Sequence, residues 1–327
     1  MSLRIRIAFV AALLVFAAAG AADEEPWTWA GIEILGNHDV PRAEIEKIVT
    51  VPVGESYRVG DAPFWKDACA TVKQQLDFAD VSCPDRPLRV FDGRKAYLVV
   101  DIVEKGNEKL LRFRKPPSKD VPFANDEMLR VLEELQDKTL TAAMAGHAYQ
   151  ENGAQGHLVY VAREGDEDVS PLVDRLAAVV PQYRENLFAI LRLEKDAEKR
   201  RQAANLLNWA GGDLEKLIRD SMPYLDDPDA GVRNNLSRFM IAFVDRVKKE
   251  SLRHELIDAF VLQIRRPSHG DRNKGVYNLL GIAQARPENR AYIREAGGDA
   301  LRYLADNSIV FNVRDPAREL LALVETP

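Results

Sequence analysis

Few residues in this chain have types and spacing that suggest chemistry. The stretch "GHAYQENGAQGH" carries His147, Glu151 and His157. His147 and Glu151 are four apart, so on a helix they would share a side, and His157 follows a glycine-containing turn. Two imidazoles and a carboxylate form a donor set for a divalent metal, which would make the chain a metal-dependent hydrolase. The spacing is loose, however. There is no HExxH, and nothing marks the first part of the stretch as helical. The competing reading assigns the three side chains to capping and loop contacts.

A second candidate is "IEILGNHDVPRAEIEKIV", where His38 and Asp39 set a base beside an acid. Neighbouring residues at a strand-to-helix corner diverge. Asp39 is also placed to cap a helix starting at Val40, with Pro41 in its first turn. The phosphate-binding patterns GxGxxG and GxxxxGK[ST] and the nucleophile pattern GxSxG are absent. "GDEDV" at Gly165 to Val169 gathers carboxylates without the spacing of an EF-hand loop and reads as a solvated acidic turn. His254 and His269 stand apart from any partner in sequence. The balance favours a protein without cofactor or catalytic residues.

The first residues suggest where such a chain would work. Arg4 and Arg6 precede the apolar run "IAFVAALLVFAAAG", and Ala19-Gly20-Ala21 has the small residues a signal peptidase needs. Residues 1–22 therefore read as a secretory signal, the alternative being an uncleaved anchor of about 18 apolar residues. Cleavage leaves 43 basic and 51 acidic residues, a charge of −8. That charge argues against nucleic acid or anionic lipid as partners. The expected location is outside the cytosol, periplasmic or secreted.

Residues 25–112 read as an α+β domain of order β-α-α-β-β. A strand over Trp27 to Leu35 ends at Gly36-Asn37, and a short helix runs from Val40 to Val49. A second helix from about Ala62 to Ala79 puts Trp65, Cys69, Val72 and Leu76 on one face. Strands at Val81 to Phe91 and Ala96 to Glu104 meet across Asp92-Gly93, a pair suited to a tight turn. "AYLVVDIV" is apolar at nearly every position, as an inner strand requires.

This order, led by "IEILGN" and closed by "YLVVDIVEKG", resembles the polypeptide-transport-associated (POTRA) domain over about 80 residues. "IEKIVTVPVGESY", with Gly54 where the family often has glycine, adds to the likeness; Ala79 departs from it. The resemblance implies a protein-binding module of the envelope that pairs its sheet edge with a client strand. Within this reading Cys69 lies roughly 15 Å back along its helix from the turn near Ala79. Cys83 lies roughly 13 Å on along its strand. Both can face the layer between helix and sheet, either as a disulfide or as two buried thiols.

Residues 113–126, "FRKPPSKDVPFAND", read as a linker, and 127–169 as a helical connecting region with an irregular loop. From 170 to 327 a pattern recurs, starting at Arg201, Arg233, Arg272 and Arg314, which are 32, 39 and 42 residues apart. Partner helices precede each at Leu172 to Leu193, Leu214 to Leu225, Leu252 to Ile264 and Ala291 to Leu304. "YLDDPDAGVRNN" resembles the turn of a HEAT repeat, and "ENRAYIREAGGDALRYLAD" is similar to an armadillo repeat. The reading is an all-α solenoid of stacked helix pairs sharing one elongated core. Its arginines would pair with loop acids such as Asp227 and Asp229. Gln202, Asn234, Asn235, Arg238, Asn273 and Lys274 would line a groove able to hold an extended peptide. The function expected from the whole is a scaffold binding protein partners through sheet edge and groove.

Overall fold

Alternating apolar residues in "WTWAGIEIL" build β1 (Trp27–Leu35). The computed structural model describes residues 26–58, 65–84, 86–90, 92–144, 149–152, 157–160 and 169–325. Next come α1 (Arg42–Glu46), β2 (Ser56–Tyr57), α2 (Trp65–Gln75), β3 (Asp80–Ser82), β4 (Leu88–Val90) and β5 (Lys95–Val103). These five strands form one mixed sheet in the order β2-β1-β5-β3, with β4 also pairing β5. β1 and β5, the two long strands, run parallel at its centre.

Two expectations are corrected here. The first helix starts only after Pro41, and Asp39 does not cap it. The amides of Asp39 and His38 instead donate to the Glu104 carboxylate, at 2.7 and 2.6 Å. The strand expected over Val81 to Phe91 is split in two, because Pro84 and Pro87 lie between β3 and β4 and cannot donate to the ladder. The Asp92-Gly93 turn does join β4 to β5, with Gly93 at φ 68°.

A bulge between Trp29 and Gly31 shifts the register of β1 and so changes which parity faces which layer. Trp27, Trp29, Ile32 and Ile34 pack with α1 and α2 on one face. Leu35 faces the other way and joins the core of the helical region. Gly36 must be glycine: its φ is +92°, and a Cβ would lie 2.0 Å from the Ile102 carbonyl oxygen. Both faces of β5 are covered, which explains its nearly unbroken burial.

The helical region contains α3 (Asp126–Met144), a two-stranded ribbon of β6 (Tyr149–Asn152) and β7 (His157–Tyr160), α4 (Ser170–Val179) and α5 (Arg184–Leu193). It continues with α6 (Ala197–Leu206), α7 (Leu214–Ser221), α8 (Ala230–Ile241) and α9 (Glu250–Arg265), then α10 (His269–Ala285), α11 (Arg290–Asn307) and α12 (Phe311–Glu325). α6 packs on α8, α8 on α10 and α10 on α12, while α9 and α11 form a second layer. Gly275 allows α10 to approach α9, since a Cβ there would lie 2.9 Å from the Phe260 carbonyl oxygen. Side-chain amides tie the layer of α6, α8, α10 and α12 together. Asn235 donates to the Arg201 carbonyl, Asn278 to that of Ser237 and Asn273 to that of Asn312. Among the described residues no helix is long and apolar enough to cross a membrane.

Candidate functional site

One arginine device recurs at the turns entering the helices. Arg200 donates through Nη1 to the carbonyls of Glu194 and Lys195, both at 2.9 Å, and grips Asp227 through Nε and Nη2. Arg233 does the same to the carbonyls of Asp227 and Pro228 and to the Asp271 carboxylate. Arg253 reaches the carbonyls of Val247 and Lys248, with Glu288 at 3.5 Å. Each of these arginines lies four residues past its N-cap, namely Asp196, Asp229 and Lys249, so one helical turn aims each guanidinium back at the loop it follows.

Arg272, four past the N-cap Ser268, repeats the device with one change. Its Nη1 donates to the Arg266 carbonyl at 2.9 Å, but its carboxylate partner comes from the sheet: Nη2 donates to Asp101 on β5. Asp101 thus fills the place a neighbouring helix pair supplies elsewhere. Burial pushes its carboxyl up, against the pull of Arg272. On β1, Glu33 is fully buried and accepts from the Ser308 hydroxyl and, at 2.7 Å, from the Ile309 amide. Apolar contact completes the joint, with Leu88, Val90, Tyr97 and Val99 packed on Val310.

The segment read as a linker is bound along the same turns. The Phe113 ring lies under the guanidinium groups of Arg233 and Arg266, at 4.4 and 4.6 Å. Arg114 donates to Asp227, and its amide donates to the Asp226 carbonyl. The Lys119 amide donates to the Leu193 carbonyl, and that of Val121 to Glu194. Sheet, strap and helices are therefore held as one unit.

Between the sheet and α9 to α11 lies a cleft of about 340 Å³. Its floor is apolar, formed by Leu35, Ile102, Ile264 and Leu304, and Arg272 lines it. His38 stands at its edge with its ring 4.3 Å from that of Tyr303. The Tyr303 hydroxyl accepts from the Gly36 amide at 2.8 Å and donates to the Asn37 side chain. A second hollow of about 340 Å³ shares Lys109, Leu110 and Arg265 with the first, and adds Asp258, Val261 and the exposed Leu262. The two adjoin as one groove, with the buried Arg272 lining the first and the exposed Leu262 the second. It draws on β1, β5, the turn after β5, α9, α10 and α11, so no local pattern in the sequence reveals it.

The residues singled out from sequence fall in several places. His147 lies outside the described residues. Glu151 is on β6 opposite Leu158, and His157 is on β7 opposite Asn152, so Glu151 is not at a helical spacing. Among the described residues no three His, Cys, Asp or Glu side chains gather as a metal site. Cys69 and Cys83 are bonded to each other, with Cα atoms 6.4 Å apart. Of the groove residues, Asn273 and Lys274 are buried rather than open to solvent. Burial and the nearby Arg238 charge hold the Lys274 ammonium well below its ordinary range. Asn235 is spent on the Arg201 carbonyl, while Gln202, Asn234 and Arg238 remain partly exposed. Arg201 pairs with Asp229, but Arg200 is the counterpart of Arg233 and Arg272. Compared with protein families, with characterised proteins and with solved structures, the chain matches none.

Proposed function

We propose that this protein is a non-enzymatic scaffold of a bacterial cell envelope that holds a polypeptide partner in the groove between its sheet and its helices. The observation that carries this reading is the groove: an apolar floor, charged groups at its rim and walls fixed by buried ion pairs. Pre-formed concave sites of this kind bind without a large ordering cost. The parallel pairing of β1 and β5, the leading and closing strands of the POTRA resemblance, supports a POTRA-like first domain. The arginine device at successive turns supports a solenoid of HEAT-like or armadillo-like pairs. The basic, apolar and small residues at the start support export, as does the bonded Cys69–Cys83 pair.

Strand addition at the sheet edge is a second contact in this reading. It has little room, because the Arg42 guanidinium caps the Ile32 carbonyl beside β1 and the outer strand breaks at Pro84 and Pro87. Gln202, Asn234 and Arg238 offer a further polar surface. Panning the mature chain against a random-peptide library tests the reading. Apolar extended peptides are expected, with binding lost in Leu262→Glu, a change at an exposed position that leaves the far-UV circular dichroism intact. A library yielding no binder sensitive to Leu262 would overturn it.

A further inference from the structure

We infer that the outer face of the strap, with the adjoining end of α5, is a docking surface for an extended acidic segment of a polypeptide, separate from the groove. Residues 112–119, "RFRKPPSK", carry four basic side chains and no acid, in a chain whose formal net charge is −6. Two residues of this stretch face inward and hold it in place. Phe113 lies under the guanidinium groups of Arg233 and Arg266, and Arg114 is spent on Asp227 and the Leu191 carbonyl. Arg112, Lys115 and Lys119 are left exposed, and none has a carboxylate partner among the described residues. The backbone is fixed as well: the Arg114 amide donates to the Asp226 carbonyl, the Lys119 amide to that of Leu193, and the Lys195 amide to that of Lys119. Residues 114–119 therefore run beside the end of α5, where Arg192 is a fourth exposed cation without a carboxylate partner among the described residues.

The acids nearest this face are already engaged. Asp120 pairs with Lys195 at 2.8 Å and Asp226 with Arg266, while Glu108 and Asp196 accept from the amides of Gly106 and Glu198. The four cations are thus a surplus, and their arrangement narrows the partner. At about 3.3 Å per extended residue, Arg112 and Lys115 are roughly 10 Å apart and Lys115 and Lys119 roughly 13 Å. Pro116 and Pro117 between them favour the extended form. An extended polypeptide with a carboxylate at every third or fourth residue has the same rise and so the same spacing. A nucleic acid strand carries a charge about every 3.4 Å, and its surplus phosphates would meet Asp120 and Asp226. A bilayer would call for cations spread over a broad face, whereas these follow one line edged by those two acids. Because the strap is already ordered by its inward contacts, its side of the complex has little ordering left to do.

The test measures binding of a fluorescent peptide, five repeats of Glu-Gly-Ser, to the full mature chain, beside the same peptide with glutamine in place of glutamate. At low ionic strength the acidic form is expected to bind at least tenfold more tightly, and the difference should shrink as salt is raised. Replacing three exposed side chains together, Arg112→Gln, Lys115→Gln and Lys119→Gln, is expected to remove that preference while the far-UV circular dichroism and Tm stay unchanged. Arg192→Gln alone should reduce it two- to threefold. Leu262→Glu, which tests the groove, should leave it as it is; a parallel loss there would overturn the separateness of the two surfaces. Equal binding of the two peptides, or a preference that survives in the triple variant, would overturn the inference and leave the groove reading untouched. Tighter binding, per unit of charge, to vesicles containing phosphatidylglycerol or to a 15-residue oligothymidylate would overturn the choice of a polypeptide.

Discussion

Asp101 and Arg272, 171 residues apart in the chain, form a buried ion pair that joins the central strand of the sheet to the start of α10. Arg272 does with the sheet what Arg200 and Arg233 do with neighbouring helices, so the sheet is seated as if it were one more unit of the helical region. A partner in the groove would touch both parts at once.

Removing one member of that pair strands the other in a desolvated site. Asp101→Ala is expected to lower unfolding stability by about 3–5 kcal/mol, the range for a broken buried pair. Urea denaturation would measure it, and limited proteolysis should show new cleavage in the strap near Phe113. A loss below about 1 kcal/mol, the scale of an exposed pair, would contradict the assignment.

Glu33 sets an opposite kind of pH dependence from an ordinary surface acid. Burial raises its carboxyl above the usual 4.5, against the hydrogen bonds from Ser308 and Ile309. In the window above 4.5 the unfolded chain has released the proton that the folded chain still holds, so this contribution to stability falls as pH rises. Glu33→Gln keeps an acceptor for Ile309 and lets the Ser308 hydroxyl turn to the Val310 carbonyl, 3.3 Å away. The gain in Tm of the variant over the wild type should therefore grow between about pH 4 and pH 7. A constant difference would refute the assignment.

His269 works in the other direction. Burial, aided by the charges of Arg272 and Lys274, pushes its imidazole down to about 3 from the usual 6.5. Both ring nitrogens are buried without hydrogen-bond partners among the described residues. As pH falls from 6.5 towards 3, the unfolded chain gains a proton that the folded chain refuses, and stability is lost. His269→Phe should lose less stability than the wild type on going from about pH 7 to pH 4, measured by chemical denaturation at each pH. Parallel losses would contradict this.

The Cys69–Cys83 bond closes a loop of sequence separation 14. Chain-entropy arguments give such a crosslink about 3 kcal/mol. Thiol titration of the unreduced unfolded protein should find no free group, and reduction should find two and lower the denaturation midpoint. Two free thiols before reduction would rule the bond out.

Local order was readable from sequence where the signal repeats over a few residues. β1 shows its alternation, and α9 and α11 follow the spans expected from helical period. "EKRRQ" shows how such reading slips: two adjacent arginines fit the repeat pattern, and only geometry separates Arg200, aimed at Asp227, from Arg201, aimed at Asp229. Asp39 looked like a helix cap because the rule is local. Glu104, 65 residues away, takes its amide instead.

What the sequence determined by itself was the kind of each segment: strands in the first part, helices in the second, a charged proline-rich stretch between them. These follow from side-chain period and backbone hydrogen bonding, which act over neighbouring residues. Tertiary structure decided which charges are buried together, that the stretch at Phe113 is a bound strap, and that a groove lies between sheet and helices. A buried charge must find its partner wherever the packed chain brings one, and for Arg272 that partner lies on a strand of the sheet.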